Sequence, residues 1–243
     1  MNALLDFTIA GTARAVAFCT ALLAVGGCAD LLRNAQPYEK PVGTIEGFEQ
    51  IRYHMMDVNG PTIPDLTDAY MTETPDNYMI EADGQPVYNY LAVSGGGSAG
   101  AFGAGILNGW TKEGSRPRFK VVTGVSTGSL IAPFAFLGPD YDDELKESYT
   151  TIDASKVFSM RGMMSLLWQE SLTDNAPFRT IIAHYVHDDL LKEIAAEHAK
   201  GRRLYVLTTD LDREQPVIWD MGAIASSTAE NKLDLFRQVL LAS

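Results

Sequence analysis

Two glycine-rich turns, separated by about one helix and one strand, constrain the fold of this chain most strongly. The first is the run 94–105, SGGGSAGAFGAG, which follows the apolar segment 88–93. The second is 124–128, GVSTG, which follows the apolar segment 119–123. An apolar run that breaks into glycines and then into helix-forming residues is typical of a strand, a loop and a helix. The spacing of about 30 residues fits one βαβ unit, so we expect both turns at one edge of a parallel sheet.

The second turn places Ser126 between Gly124 and Gly128. A strand, a tight turn and a following helix can hold such a serine exposed as a nucleophile, and the two glycines would form its elbow. The first turn adds specificity, because backbone without side chains can approach a substrate closely and direct N–H groups at a developing negative charge. We therefore expect an oxyanion loop beside the serine. Its residues would be Gly95, Gly96, Gly97, Ser98 and Gly100.

A dinucleotide-binding loop is the main alternative for the first turn, because Gly95, Gly97 and Gly100 also satisfy G-x-G-x-x-G. That interpretation requires an acidic residue about 20 residues further on, at the end of the second strand. The corresponding residues 123–126 contain no carboxylate. The sequence therefore favours the oxyanion loop, and we expect no cofactor.

In these motifs the chain resembles the patatin-like phospholipases, whose pattern is a strand, a G-G-G-x-[KR]-G loop, a helix, a second strand and G-x-S-x-G. Residues 95–100 match that loop except at Ala99, where the family usually has Arg or Lys. The resemblance extends from about Tyr88 to the end of the chain. It implies an α/β fold with three α/β/α layers and a mainly parallel central sheet. It also implies a lipid acyl hydrolase whose serine works with an aspartate and no histidine.

The base that would activate the serine is not evident in the sequence. In the family it is the aspartate of an Asp-Gly-Gly or Asp-Gly-Ala motif, and neither occurs here. Residues 236–243 resemble the family helix that precedes this motif, so the resemblance implies a truncated chain, inactive as written, with its base beyond Ser243. Weak alternatives follow the third and fourth predicted strands. They are Asp210, Asp212 and Asp220.

Two other functions remain open. A serine esterase with a Ser-His-Asp triad would need a histidine after the nucleophile, and His184 and His187 are the nearest candidates, although both are more typical of surface histidines. A non-catalytic lipoprotein of the same fold would bind a lipid or a partner. The departure at Ala99 and the missing base both fit that second possibility.

The N-terminus resembles that of a bacterial lipoprotein. The apolar run after Arg14 is too short to span a bilayer and suits a secretory signal peptide, here 1–27, although an uncleaved apolar N-terminus remains possible. Residues 25–28, VGGC, resemble a lipobox, in which Cys28 would carry the lipid. We therefore expect a lipid-anchored protein in a bacterial cell envelope, at the periplasmic face of a membrane and preferably the outer membrane.

The remaining sequence divides into an extended, proline-punctuated tether, 28–84, and a partial catalytic domain, 85–243. Within the tether, the acidic stretch 65–76 is interpreted as a solvated loop. The apolar stripe 160–172 is interpreted as core rather than as a lid. A net charge of −12 argues against nucleic acid as a partner, and the four histidines show no metal-ligand spacing. The expected partners are an acyl-ester lipid and, through the anchor, a membrane.

Further elements follow from local patterns. We expect strands at 204–210 and 216–220, and helices at 129–138, 188–200 and 233–241. Tyr141–Thr150 is predicted to be an exposed acidic helix, and 223–227 a turn.

Overall fold

The computed structural model describes residues 44–48, 50–54, 64–75, 78–80, 82–150, 176–211 and 213–243. The lipobox residue Cys28, the candidate base Asp212 and the stripe 160–172 lie outside these ranges. The described parts of Pro41–Asp210 and Gln215–Ser243 form one compact unit. Within the described ranges, the helices are all too short or too polar to cross a membrane.

The chain contains both strands and helices, as expected for an α/β protein. The strands are β1 (Arg52–His54), β2 (Met79–Ile80), β3 (Pro86–Val87), β4 (Asn89–Val93), β5 (Phe119–Val125), β6 (Arg203–Asp210) and β7 (Gln215–Asp220). The helices are α1 (Pro64–Met71), α2 (Gly100–Glu113), α3 (Thr127–Leu137), α4 (Asp142–Thr150), α5 (Ala176–Tyr185), α6 (Asp188–Ala199), α7 (Met221–Ser226) and α8 (Lys232–Ala242).

The central sheet has the order β1-β7-β6-β5-β4, and β2 pairs with β3 in a separate hairpin. Strands β4, β5 and β6 are parallel neighbours, β7 is antiparallel to β6, and β1 is antiparallel to β7. Four of the five strands therefore run in the same direction. The predicted mainly parallel sheet is confirmed.

The sheet is covered on both faces, which produces the expected three-layer α/β/α fold. Residues 119–122 of β5 are buried without the alternation of a half-exposed strand, and such strands lie beneath helices on both sides. Helix α3 packs on β5 and is buried around most of its circumference, with Ile131, Ala132 and Phe136 inaccessible to solvent. The rigid β5–α3 pair is therefore the framework for the turn that joins them.

Two predictions about the chain were wrong. Within 65–76, residues up to Met71 form helix α1 rather than a solvated loop, because Ala69 is fully buried and its carbonyl accepts a hydrogen bond from Lys120 Nζ at 2.9 Å. The expected turn at 223–227 is mostly helix α7, in which the Ala223 N–H donates to the capping Asp220 carboxylate. The other predicted strands and helices are present with shifts of a few residues at their ends.

Candidate active site

The turn between β5 and α3 exposes Ser126 to solvent. Its backbone has φ 53° and ψ −126°, a conformation that residues with a Cβ atom adopt only under strain. Ser129 stabilises the turn, because its N–H and its hydroxyl both donate to the Ser126 carbonyl, at 2.8 and 2.6 Å. The geometry is that of a nucleophile elbow: a strained, exposed serine at the carboxyl edge of a parallel strand.

The two flanking glycines are required by close packing. A Cβ added to Gly124 would lie 2.5 Å from the carbonyl oxygen of Gly128. A Cβ added to Gly128 would lie 2.1 Å from the Val93 carbonyl oxygen at the end of β4. Both distances are far shorter than any real carbon–oxygen contact, so the tight turn against β4 depends on glycine at both positions.

The glycine-rich loop after β4 lies directly against the serine. A Cβ added to Gly95 would lie 2.9 Å from Ser126 Cβ and 3.6 Å from its hydroxyl oxygen. The next residues form a 3-10 turn, Gly97–Ala99, which leads into helix α2. N–H groups at the start of a helix have no partner within it, so those of Gly97 and Ser98 are available to a negative charge. The structure thus brings the predicted oxyanion loop and nucleophile together.

Side-chain contacts fix the loop relative to the elbow. The buried Thr127 hydroxyl donates to the Gly97 carbonyl at 3.0 Å, which joins the residue after Ser126 to the loop. Tyr149 on α4 donates to the Thr127 carbonyl at 3.4 Å. Burial raises the pKa of the Tyr149 hydroxyl, so it keeps its proton for this bond. At Gly100 an added Cβ would lie 2.1 Å from Thr127 Cγ2, and only glycine fits there.

The two candidate aspartates that the structure describes, Asp210 and Asp220, lie in different parts of the sheet. Asp220 is fully buried, its N–H donates to the Ile51 carbonyl, and its carboxylate caps α7. It pairs in the sheet with Tyr205, near the start of β6, and so lies away from the elbow edge. Asp210 ends β6 at the same edge as Ser126 and pairs with Gln215 of β7. The structure therefore does not bring Asp220 to the serine, whereas Asp210 shares its edge.

The two candidate histidines are exposed: His184 lies in the last turn of α5, and His187 lies in the connection between α5 and α6. His187 is the N-cap of α6, and its Nδ1 accepts the Leu190 N–H at 3.3 Å. The ring of His184 packs edge-on against Tyr185. Neither side chain has a described contact with Ser126. Among the described residues, no cluster of His, Cys, Asp or Glu has the arrangement of a metal site.

Apolar side chains lie exposed near this edge of the sheet. Phe102 and Ile106, one turn apart on α2, are 75% and 49% exposed, and Val125, directly before Ser126, is 40% exposed. Helix α2 follows the glycine-rich loop directly, and Phe102 lies in its first turn. Solvent-exposed apolar groups of this size are suited to contact an apolar ligand.

Besides the contacts of Thr127 and Tyr149, the elbow has a hydrogen bond from the Ser126 N–H to Ser243 Oγ, and none of these contacts was foreseen from the sequence. Thr127 stands inside the recognised pentapeptide, and a polar side chain next to the nucleophile is a signal that could have suggested its role. Tyr149 and Ser243 are separated from the elbow by 22 and 117 residues. No local pattern indicates contacts over such separations.

Comparison with known proteins agrees with these features. A model of the patatin-like phospholipase family matches residues 91–243, which is more than half of the chain and includes both the glycine-rich loop and the elbow. No curated protein and no solved structure matches the chain significantly.

Proposed function

Since the chain belongs to the patatin-like phospholipase family, a family of lipid acyl hydrolases, we propose that it hydrolyses lipid acyl esters with Ser126 as the nucleophile. The observation that carries the proposal is the close approach of Gly95 to the strained, exposed Ser126, which supports a role for the backbone N–H groups of this loop beside the serine hydroxyl. A nucleophile and an oxyanion hole in contact are the minimum arrangement for acyl transfer.

In the proposed mechanism, Ser126 Oγ attacks the ester carbonyl carbon while a base takes its proton. The N–H groups of Gly96, Gly97 and Ser98 stabilise the oxyanion of the tetrahedral intermediate. The intermediate collapses, the alcohol leaves with the proton from the base, and an acyl-enzyme remains. Water, deprotonated by the same base, then releases the fatty acid and regenerates the serine.

The base in this proposal is an aspartate carried by residues beyond Ser243, as the family resemblance implies. Two observations favour it over the aspartates described here. The Asp220 carboxylate is buried and engaged as a helix cap. Asp210 lies at the edge that carries Ser126, but it is the last residue of β6 and is paired with Gln215 in the β6–β7 hairpin. The apolar side chains of Phe102 and Ile106 support an acyl chain as the substrate's apolar part.

We further propose that the protein acts at a membrane in the bacterial cell envelope. The support is in the sequence alone: the lipobox-like residues 25–28 would place a diacylated Cys28 at the mature N-terminus. Such an anchor would keep an acidic enzyme, with its net charge of −12, at a lipid surface that its charge does not favour.

The test is hydrolysis of a short-chain acyl ester and of phospholipid vesicles by the 243-residue chain and by a chain continued past Ser243 in its own reading frame. The longer chain is expected to release fatty acid, and Ser126→Ala to reduce turnover by about a thousandfold or more. The matched control is Ser148→Ala, which removes a hydroxyl bonded only within α4 and should retain turnover.

Turnover that survives Ser126→Ala would contradict the proposed nucleophile. Turnover by the 243-residue chain that is lost in Ser126→Ala would instead leave the nucleophile intact and contradict the position of the base.

A further inference from the structure

The Ser243 hydroxyl forms a bridge between the nucleophile elbow and strand β6. The Ser126 N–H donates to Ser243 Oγ at 2.8 Å, and Ser243 Oγ donates to the Leu207 carbonyl at 2.6 Å. Both distances are those of good hydrogen bonds. One small hydroxyl thus uses its single proton and one of its lone pairs to join two backbone segments.

This bridge stands where the direct pairing of β5 with β6 stops. Val125, paired with Leu207, is the last residue of β5 in the register, and the chain then leaves the sheet with Ser126 at φ 53°. Strained backbone of this kind persists only where its surroundings hold it. The Ser243 hydroxyl therefore adds one hydrogen-bonded link between β5 and β6 beyond their last paired residues. This link binds the N–H of the strained residue, Ser126.

The bridging hydroxyl is itself held in place by a buried helix. Ser243 follows α8, and its N–H donates to the Val239 carbonyl at 3.2 Å. Phe236, Val239 and Leu240 of α8 are buried in the core. Because the Ser243 hydroxyl is attached to a packed helix, it loses little conformational freedom when it forms these hydrogen bonds. The hydroxyl can therefore hold the elbow in a fixed position.

We infer that Ser243 is a positioning residue for the reaction: through the Ser126 amide, its hydroxyl orients the nucleophile toward the oxyanion loop. The catalytic part of this inference rests on the proposed function. The hydrogen bond from the Ser126 N–H to Ser243 does not depend on the proposed function, and hydrogen exchange measures it separately.

The experiment compares Ser243→Ala and Ser243→Thr in the chain continued past Ser243 in its own reading frame, by two readouts: hydrogen exchange of the Ser126 amide, and kcat and KM for a short-chain acyl ester. In Ser243→Ala we expect amide exchange to accelerate at least tenfold. We expect kcat to fall about tenfold with KM unchanged, the size of effect that one neutral hydrogen bond gives. Ser243→Thr keeps the hydroxyl and should keep both values within about twofold of the wild type.

Ser227→Ala is the matched control. The Ser227 hydroxyl also joins two backbone groups, since it accepts the Ala229 N–H and donates to the Gly47 carbonyl, but it lies outside the elbow. This variant should change neither readout. Unaltered exchange at Ser126 in Ser243→Ala would overturn the inference, and so would faster exchange with an unchanged kcat. Turnover that does not depend on Ser126 would contradict the proposed function and its catalytic consequence, while the exchange rate would still report on the bridge.

Discussion

At the scale of single residues, the candidate site depends on backbone segments that approach one another more closely than residues with a Cβ atom could. Gly95 lies against Ser126, and Gly124 and Gly128 lie against neighbouring carbonyl oxygens. These contacts account for the glycine-rich composition of both turns, because backbone without Cβ atoms can lie directly against Ser126 and against neighbouring carbonyl groups.

Gly95→Ala tests whether this approach is needed for activity. The new Cβ would meet Ser126 Cβ at 2.9 Å, so loop and elbow must separate by several tenths of an ångström. We expect kcat/KM for an acyl ester to fall about a hundredfold, the loss seen when one oxyanion donor is removed. The control is Gly109→Ala in α2, where an added Cβ meets nothing within 4 Å. It should retain activity and stabilise the helix by about 0.5–1 kcal/mol. Equal activity of the two variants would contradict this account of the loop.

At the scale of elements, a buried lysine attaches α1 and the residues after it to the sheet. The Lys120 ammonium on β5 is inaccessible to solvent and donates to the Ala69 carbonyl and to Glu73 Oε1, both at 2.9 Å. Tyr88 donates to the other Glu73 oxygen at 2.8 Å. This hydrogen bond, aided by burial, raises the pKa of Tyr88 to about 12, so the tyrosine remains a donor at all physiological pH values.

Lys120→Met should release this attachment, because it removes the ammonium and leaves the Glu73 carboxylate without its cation. Breaking a buried pair on one side costs about 3–5 kcal/mol, so we expect a loss of that size in the free energy of unfolding in urea. Limited proteolysis should also cut faster within 64–75. Lys112→Met, at an exposed position of α2, is the control and should change stability by less than about 0.5 kcal/mol. Wild-type stability of Lys120→Met would show that α1 is held by other contacts.

At the scale of the whole molecule, a charge cluster at the amino edge of the parallel strands joins sheet and helices. Glu197 near the end of α6 accepts hydrogen bonds from Lys200, Arg202 and Arg118. The buried Arg202 guanidinium also donates to the carbonyls of Phe119 and Phe136, which lie at the start of β5 and near the end of α3. One cluster thus connects α6, β5 and α3 at the edge opposite the candidate site.

The cluster predicts a pH dependence of stability. Burial alone would raise the pKa of the Glu197 carboxyl, but the hydrogen bonds from the basic side chains outweigh it and lower the pKa to about 2 from an ordinary 4.5. A carboxyl with a lowered pKa stabilises the fold fully above its unfolded value, and this stabilisation is lost as pH falls from about 4.5 toward 2. Glu197→Gln should therefore cost about 2 kcal/mol at pH 7, and the difference from the wild type should shrink between pH 5 and pH 3.

Urea unfolding at several pH values measures this difference. Asp189→Asn is the control, because the salt bridge of Asp189 with Lys192 is exposed and screened by solvent, and it should leave the unfolding free energy nearly unchanged at each pH. A Glu197→Gln deficit that stayed constant down to pH 3 would contradict the lowered pKa.

Much of this fold was predictable from the sequence because its signals are local. The strand, glycine turn and helix around Gly95 and again around Ser126 each lie within a short window, and their spacing predicts a shared edge of the sheet. Helix α1 was missed because its sequence is polar and its contact with Lys120 joins residues that are 51 positions apart in the chain. The Ser243 bridge was missed for the same reason: its partners meet only in the folded molecule.

The most direct test of the central claim is covalent labelling by a fluorophosphonate probe, with the site of the adduct determined by peptide mass spectrometry. An activated serine reacts with this probe, whereas an unactivated one does not. In the chain that hydrolyses acyl esters, we predict one adduct on the peptide containing Ser126, and none in Ser126→Ala. Ester hydrolysis accompanied by an adduct at another residue, or by no adduct at Ser126, would contradict the account.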